Sequence, residues 1–317
     1  TAAAGYRVGL LPMHGGSTAP AQSLTPALAP LLADGRLVWL DPEAPVEAGN
    51  VLAYHVAPFL PGPARQAPVR ARRAILRLDQ PARAATGEAL FDLPTLSARL
   101  ETAFGQRPAI VAADPLLAAT VRQRSAQELM TGHWPPITSL QGAAEVGLGT
   151  SRLGRHCLGG FGAIPGADAL LAAYPADAAH EVRLAEGAIA LARARLPPGW
   201  RLAAGELDDP QGFLADLDAY VFATDQHWQP FVPAGLIEAL AAAPLLVLPP
   251  SLRPFFEDAA VYLEPGASVA DRLAALTPSA AQACRRAALA LHHREIGPEA
   301  LARRLRTMLG PPVAAPP

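Results

Sequence analysis

A carboxylate stands alone at Glu238, within the stretch "HWQPFVPAGLIEALAAAPLLVLPP" that runs from His227 to Pro250. Pro233 suits the first turn of a helix, because its missing N–H is not needed there. Glu238 then falls about one turn into that helix, where a carboxylate can accept two neighbouring hydroxyls of a ribose or a sugar. A solvated acid on a helix surface explains the same residue, and the stretch alone does not choose. Upstream, "LGRHCLGGFGAIPG" (153–166) sets Arg155 at a strand end, just before a glycine-rich loop. A guanidinium beside exposed backbone N–H groups can hold a pyrophosphate; an ordinary strand-to-helix loop is the alternative. No lysine occurs among the 26 basic residues. Any phosphate must therefore be gripped by arginine, by a helix N-terminus or by both, and lysine Schiff-base chemistry is excluded.

Two histidines fall at the carboxyl ends of strand patterns. His14, beside Gly15 and Gly16, follows the first; His55 follows the third and precedes Pro58. Such positions face a cleft in a doubly wound sheet, although each histidine alone reads more simply as a structural one. His292 and His293 adjoin on a helix and point apart, so they make poor joint ligands. No His, Asp or Glu group has metal-site spacing, and no metal or other cofactor is expected. The dinucleotide fingerprint fails, because Gly147, Gly149 and Arg152 fall where it needs three glycines, and no P-loop is present.

The elements that position these residues alternate between strand and helix. Strand patterns fall at 6–13, 36–41, 51–59, 72–81 and 108–115, with helices around 23–32 and 93–104. The small, flexible stretch "SLQGAAEVGLGTS" (139–151) interrupts that rhythm, with a hinge expected at 142–150. It then restarts with "SRLGRHC" and strand patterns at 180–187, 199–206, 217–224, 244–250 and 259–265, and a helical tail spans 280–309. Such alternation implies parallel, doubly wound α/β sheets. The chain of 317 residues fits two domains at roughly 100–200 residues each. The expected division is an amino-terminal acceptor domain at 1–145, a carboxyl-terminal nucleotide-sugar domain at 146–310 and a frayed end at 311–317.

Net charge is −2, with no basic block, so nucleic acid is not an expected partner. Cys157 and Cys284 are the only cysteines, too few for a disulfide framework. No basic segment followed by an apolar run marks a leader. These features point to a reducing, cytoplasmic setting. The longest apolar stretch, near 239–248, is too short to span a bilayer, and contact with a membrane surface stays open.

The stretch "LDAYVFATDQHWQPFVPAGLIEALAAAPLLVLPPSLRPFFEDAAVYLEP" resembles the carboxyl-terminal domain of GT-B glycosyltransferases. The closest pattern is the large retaining family of sucrose synthases and bacterial lipopolysaccharide mannosyl- and glucosyltransferases. "IEALAAAPLLVLPP" matches that family's "EA-A-G-P-V" helix and following strand. "FFEDAAVYLEP" matches its "FGDAA-Y" stretch, and "LGRHC" its "GRHS"-like strand end; together these cover about residues 150–265. The resemblance implies two Rossmann-like domains facing a cleft and sugar transfer from a nucleotide-sugar donor to an unknown saccharide, lipid or protein acceptor. In it, Glu238 becomes a ribose ligand, Arg155 a pyrophosphate contact, and a cleft histidine a contact for the donor sugar. The family carries a second glutamate eight positions earlier, where Pro230 stands here. Gln229 is the nearest polar substitute, and a one-residue insertion aligns Phe231 with the family's phenylalanine. The loop after Arg155 also lacks a second cation, reading Leu158, Ala163 and Ile164. These departures leave room for a degenerate relative that serves as a binding or assembly partner.

Overall fold

The computed structural model describes residues 8–11, 32–41, 44–54, 56, 69–83, 88–124, 128–136, 151–155, 174–177, 179–185, 197–203, 209–224, 230–242 and 244–310. In the first half, β1 (Val8–Leu10) pairs in parallel with β2 (Leu37–Trp39). A separate parallel sheet is formed by β3 (Val46–Ala53), β4 (Val69–Leu78) and, after helix α1 (Leu93–Phe104), β5 (Ala109–Ala112). Helix α2 (Pro115–Arg124) follows at once. Local chemistry accounts for α1: Asp92 accepts the Thr95 N–H at 2.9 Å as its N-cap, and Gly105 ends it at φ +70°.

The second half lays six parallel strands into one sheet. They are β6 (Arg152–Arg155), β7 (Glu181–Ala185), β8 (Trp200–Ala203), β9 (Ala219–Val221), β10 (Leu245–Leu248) and β11 (Ala260–Tyr262). Helix α3 (Pro210–Ala215) leads into β9, and α4 (Ala234–Ala242) connects β9 to β10. A 3-10 turn at Pro250–Leu252 and α5 (Arg253–Phe256) precede β11; α6 (Val269–Ala274), α7 (Pro278–Glu295) and α8 (Pro298–Leu309) come after it. The spatial order is β8–β7–β6–β9–β10–β11, the doubly wound order that reverses between its first and fourth strands. Each of the six strand patterns expected beyond residue 150 corresponds to one of these strands. The helical tail expected at 280–309 is instead two helices, broken at Ile296–Gly297. Pro298 opens the second, and a side chain at Gly297 would meet the His293 carbonyl at 2.9 Å.

Alternation along the strands builds the cores. In β10, Leu245 and Val247 face one cluster and Leu246 and Leu248 the other; Ala219 and Val221 against Tyr220 do the same in β9. The cluster holding Tyr220 and Leu248 runs on into the first half, through Leu76, Leu78, Ile110 and Leu117. The opposite face of β4 and β5, with Ile75 and Val111, is covered by Trp134 and by Leu305 and Met308 of α8. Arg73 reinforces this crossing by donating to the Met308 carbonyl. The last described helix therefore completes the first half.

Charge pins the crossing. His133 Nε2 lies 3.3 Å from Glu295 Oε2, and Arg304 pairs with the same carboxylate. The His133 imidazole, then Arg304 and Arg294, overcome burial and hold the Glu295 carboxyl down at about 2. A depressed carboxyl stabilises the fold above its unfolded value, and that stability is lost as pH falls through the folded value. Wild type should therefore lose thermal stability between about pH 4.5 and pH 2. Glu295→Gln should be about 1–3 kcal/mol less stable at neutral pH and show a smaller acid-side decline; parallel melting curves across pH for the two proteins would sink the ion-pair account.

Gly154 has no room for a side chain. A Cβ there would lie 2.4 Å from the Arg183 carbonyl and 2.8 Å from Leu217. Gly154→Ala should cost about 1–3 kcal/mol in denaturant unfolding, and an unchanged midpoint would contradict this packing.

Candidate functional site

The seam between β6 and β9 is short, with Leu153 opposite Ala219 and Gly154 opposite Tyr220. It is held at both ends. At its foot, Asp218 Oδ2 accepts the Ser151 and Arg152 N–H groups at 3.1 and 2.9 Å, while Oδ1 accepts the Arg152 guanidinium at 2.9 Å. The Asp218 carbonyl takes Arg285 at 2.9 Å and the Leu245 N–H at 3.0 Å. Burial alone would raise the Asp218 carboxyl, but Arg152 and the two backbone donors outweigh it and hold it below the usual carboxylate range.

At the carboxyl end of the seam stands Arg155, only 1% exposed. Its Nη1 reaches across the strand-order reversal to donate to the Ala223 carbonyl at 2.8 Å. Its guanidinium lies 4.1 Å from the centre of the Phe222 ring, a cation–π contact strengthened by the absence of water. Beside it, the Tyr174 hydroxyl donates to the Val221 carbonyl at 2.7 Å. Doubly wound sheets take ligands outside the carboxyl ends of their strands at such a reversal, and Arg155 is the buried cation at that position here.

Phe231 and Val232 precede α4, and both are buried in the shared core. Helix α4 is buried along most of its circumference; Glu238, its one acid, is half-buried. Thus Arg155 ends β6, while Phe231 and Glu238 lie on the connection from β9 to β10. His14, Gly15, Gly16, His55 and Gln229 lie outside the described residues, as do the expected hinge at 142–150 and Cys157.

Asp114, which lies just past β5 and caps α2, escaped sequence reasoning. Its Oδ1 accepts the Leu117 N–H at 2.8 Å, and its Oδ2 accepts the Val232 N–H at 2.9 Å. It is fully buried, and burial pushes its carboxyl up despite the backbone donors and the nearby His133. The Asp-Pro pair before an apolar run is an N-cap signal, but nothing local announces a partner 118 positions away. Because Asp114 follows β5 and Val232 follows β9, their bond shows that the carboxyl edges of the two sheets meet.

Among the described residues no group of three His, Cys, Asp or Glu side chains is gathered as a metal site, and no helix is long and apolar enough to cross a membrane. His292 and His293 have their ring centres 5.6 Å apart at 69° between planes.

No protein-family model matches the chain, and no curated protein matches it. Solved structures do. A point mutant of S. aureus TarM, in complex with fondaparinux, alpha-GlcNAc-glycerol and UDP, superposes with a TM-score of 0.53 at 12% identity over 77% of this chain and 55% of that one. A second TarM structure gives 0.51 at 11% identity, over 82% and 54%. The glycosyltransferase SnogD from Streptomyces nogalater gives 0.45 at 18% identity, over 82% and 72%. The chain spans about half the length of the TarM chains. Its architecture is the GT-B fold, and at these identities the similarity is one of fold.

Arg155→Ala should remove both the Ala223 bond and the packing on Phe222, at a cost of about 2–4 kcal/mol. Arg155→Met keeps the packing and should lose less. Chemical denaturation of both variants is the check; wild-type stability in the alanine variant would show that the seam does not need this side chain.

Proposed function

We propose that this protein transfers a sugar from a nucleoside diphosphate sugar to an acceptor, in the cleft where the carboxyl edges of its two halves meet. The observation that carries the reading is the place of Arg155, at the end of β6 and at the strand-order reversal of a GT-B fold. A guanidinium has five N–H donors, so holding Ala223 and a phosphate oxygen are compatible. In this reading Arg155 and nearby backbone N–H groups meet the charge of the departing diphosphate. Glu238 accepts the ribose hydroxyls. Gln229 and the backbone around Phe231 hold the donor sugar, and His14 and His55, with Gly15 and Gly16, face the reacting centre from the other half. The UDP in the TarM complex supports a nucleotide donor by shared fold. Kinship with the sucrose synthase-like family, and with it a retaining outcome, rests on the sequence resemblance.

A second reading, a binding or assembly protein on the same fold, is favoured by Pro230, which replaces the resembled family's first glutamate. Thermal unfolding with UDP, GDP and their sugars separates the two readings. A ligand at 100 times its Kd adds about 2.7 kcal/mol. Glu238→Ala should lose the shift given by the free nucleotide as well as by the nucleotide sugar, and wild type should release nucleotide from the donor when an acceptor is supplied. Absence of any shift at millimolar nucleotide would end the transferase reading.

A further inference from the structure

Helix α8 turns Leu305 and Met308 into the core of the first half. Its other face borders a hollow of about 580 Å³, lined among the described residues by Pro298, Glu299, Ala302, Arg303, Arg306 and Thr307. Arg303, Arg306 and Thr307 are exposed there. The neighbouring arginines are neutralised: Arg294 pairs with Glu257 at 3.1 Å and with Glu295 at 3.2 Å, and Arg304 pairs with Glu295. Arg303 and Arg306 are not. Arg303 gives one N–H to the Arg294 carbonyl at 3.3 Å, and Arg306 gives one to the Ala302 carbonyl at 3.2 Å. Among the described residues neither pairs with a carboxylate. Even Glu299, one turn before Arg303 and well spaced for an ion pair along the helix, is left aside.

A guanidinium has five N–H donors and no acceptor, so each of the two keeps most of its donors for a ligand. Residues three apart on a helix have Cβ atoms about 5–6 Å apart, near enough for both forks to reach the oxygens of one phosphate. The Thr307 hydroxyl donates to the Arg303 carbonyl at 3.0 Å, which leaves the arginines as the donors of the hollow. The helix dipole favours a cation in the last turn and accounts for Arg306, but Arg303 stands mid-helix. Overall charge does not account for the pair either, since the chain carries a net −2.

We propose that Arg303 and Arg306 form a phosphate-binding site on the exposed face of α8. Its ligand is a phosphate monoester or diester, whether a free compound or the headgroup of an anionic lipid. Glu299, at the amino-terminal end of the hollow, weakens the positive field there, so the site suits one phosphate rather than a polyanion. It uses none of the residues assigned above to sugar transfer, and it stands or falls apart from that reading.

Three proteins test this: wild type, the double variant Arg303→Gln with Arg306→Gln, and Arg306→Lys. All three should melt alike, because the altered side chains are exposed and bond only to surface carbonyls. Each is titrated with inorganic phosphate in a calorimeter and sedimented with vesicles of phosphatidylglycerol or, as the control, phosphatidylcholine. Wild type should bind phosphate, phosphatidylglycerol vesicles or both. The double variant should bind about tenfold or more weakly, the loss expected for charge-assisted hydrogen bonds. Arg306→Lys keeps the charge but should still bind more weakly than wild type, since an ammonium lacks the planar fork that grips a phosphate. Binding of inorganic phosphate points to a free phosphate compound, and binding of phosphatidylglycerol vesicles alone points to a lipid headgroup; either supports the site. If wild type binds neither, or the double variant binds as well as wild type, the site is overturned. If Arg306→Lys matches wild type, plain surface charge explains the attraction and the site is overturned as well.

Discussion

Everything in the second half depends on β6 lying beside β9. These strands are far apart in sequence and share only two register pairs, so the ladder alone is weak. Asp218 supplies what the ladder lacks. One carboxylate gathers the first backbone donors of β6, and the same residue's carbonyl fastens α7 and β10 through Arg285 and Leu245. Arg155 is the upper tie, joining the end of β6 to the Ala223 carbonyl.

That tie limits how Arg155 can vary. A buried side chain that ties two strands cannot drift freely, whereas Glu238, half-buried on a helix already packed by Leu236, Ile237 and Leu240, adds little to the core. The opposite edge shows the same division. The Asp92 cap of α1 is exposed and acts only locally, while the Asp114 cap of α2 is buried and also bonds to the other half.

Period and punctuation made the carboxyl-terminal strands legible, because strands buried on both faces read as short apolar runs bounded by proline and glycine. The third strand was harder. Its pattern was expected at 51–59, yet β3 runs Val46–Ala53 and includes Glu47, Gly49 and Asn50. As an edge strand it turns those residues outward, so the ladder with β4 forms without an apolar face along its length. The break before α8 was legible in Gly297–Pro298, but the arginine-rich helical pattern on both sides masked it. Glu257 is more instructive. It stands where the resembled "FGDAA-Y" pattern has glycine, and it takes φ +48° in a tight turn closed by the Ala259 N–H on the Phe256 carbonyl at 2.7 Å. The sequence match carries no sign of the turn, and the structure shows it formed by a residue ill suited to it. The long-range pairs Asp114–Val232 and His133–Glu295 leave no trace in local spacing, since each partner looks like an ordinary cap or surface charge.

The return of α8 to the first half has a consequence for biosynthesis. The strands β4 and β5 leave the ribosome long before α8 does, at roughly 5–20 residues per second on the order of ten seconds or more. During that interval Ile75, Val111 and Trp134 lack the cover that Leu305 and Met308 later give. The first half cannot finish folding as it emerges. It waits with one sheet face bare, a state that calls for chaperone shielding and makes any premature stop before α8 an aggregation hazard rather than a shorter working protein.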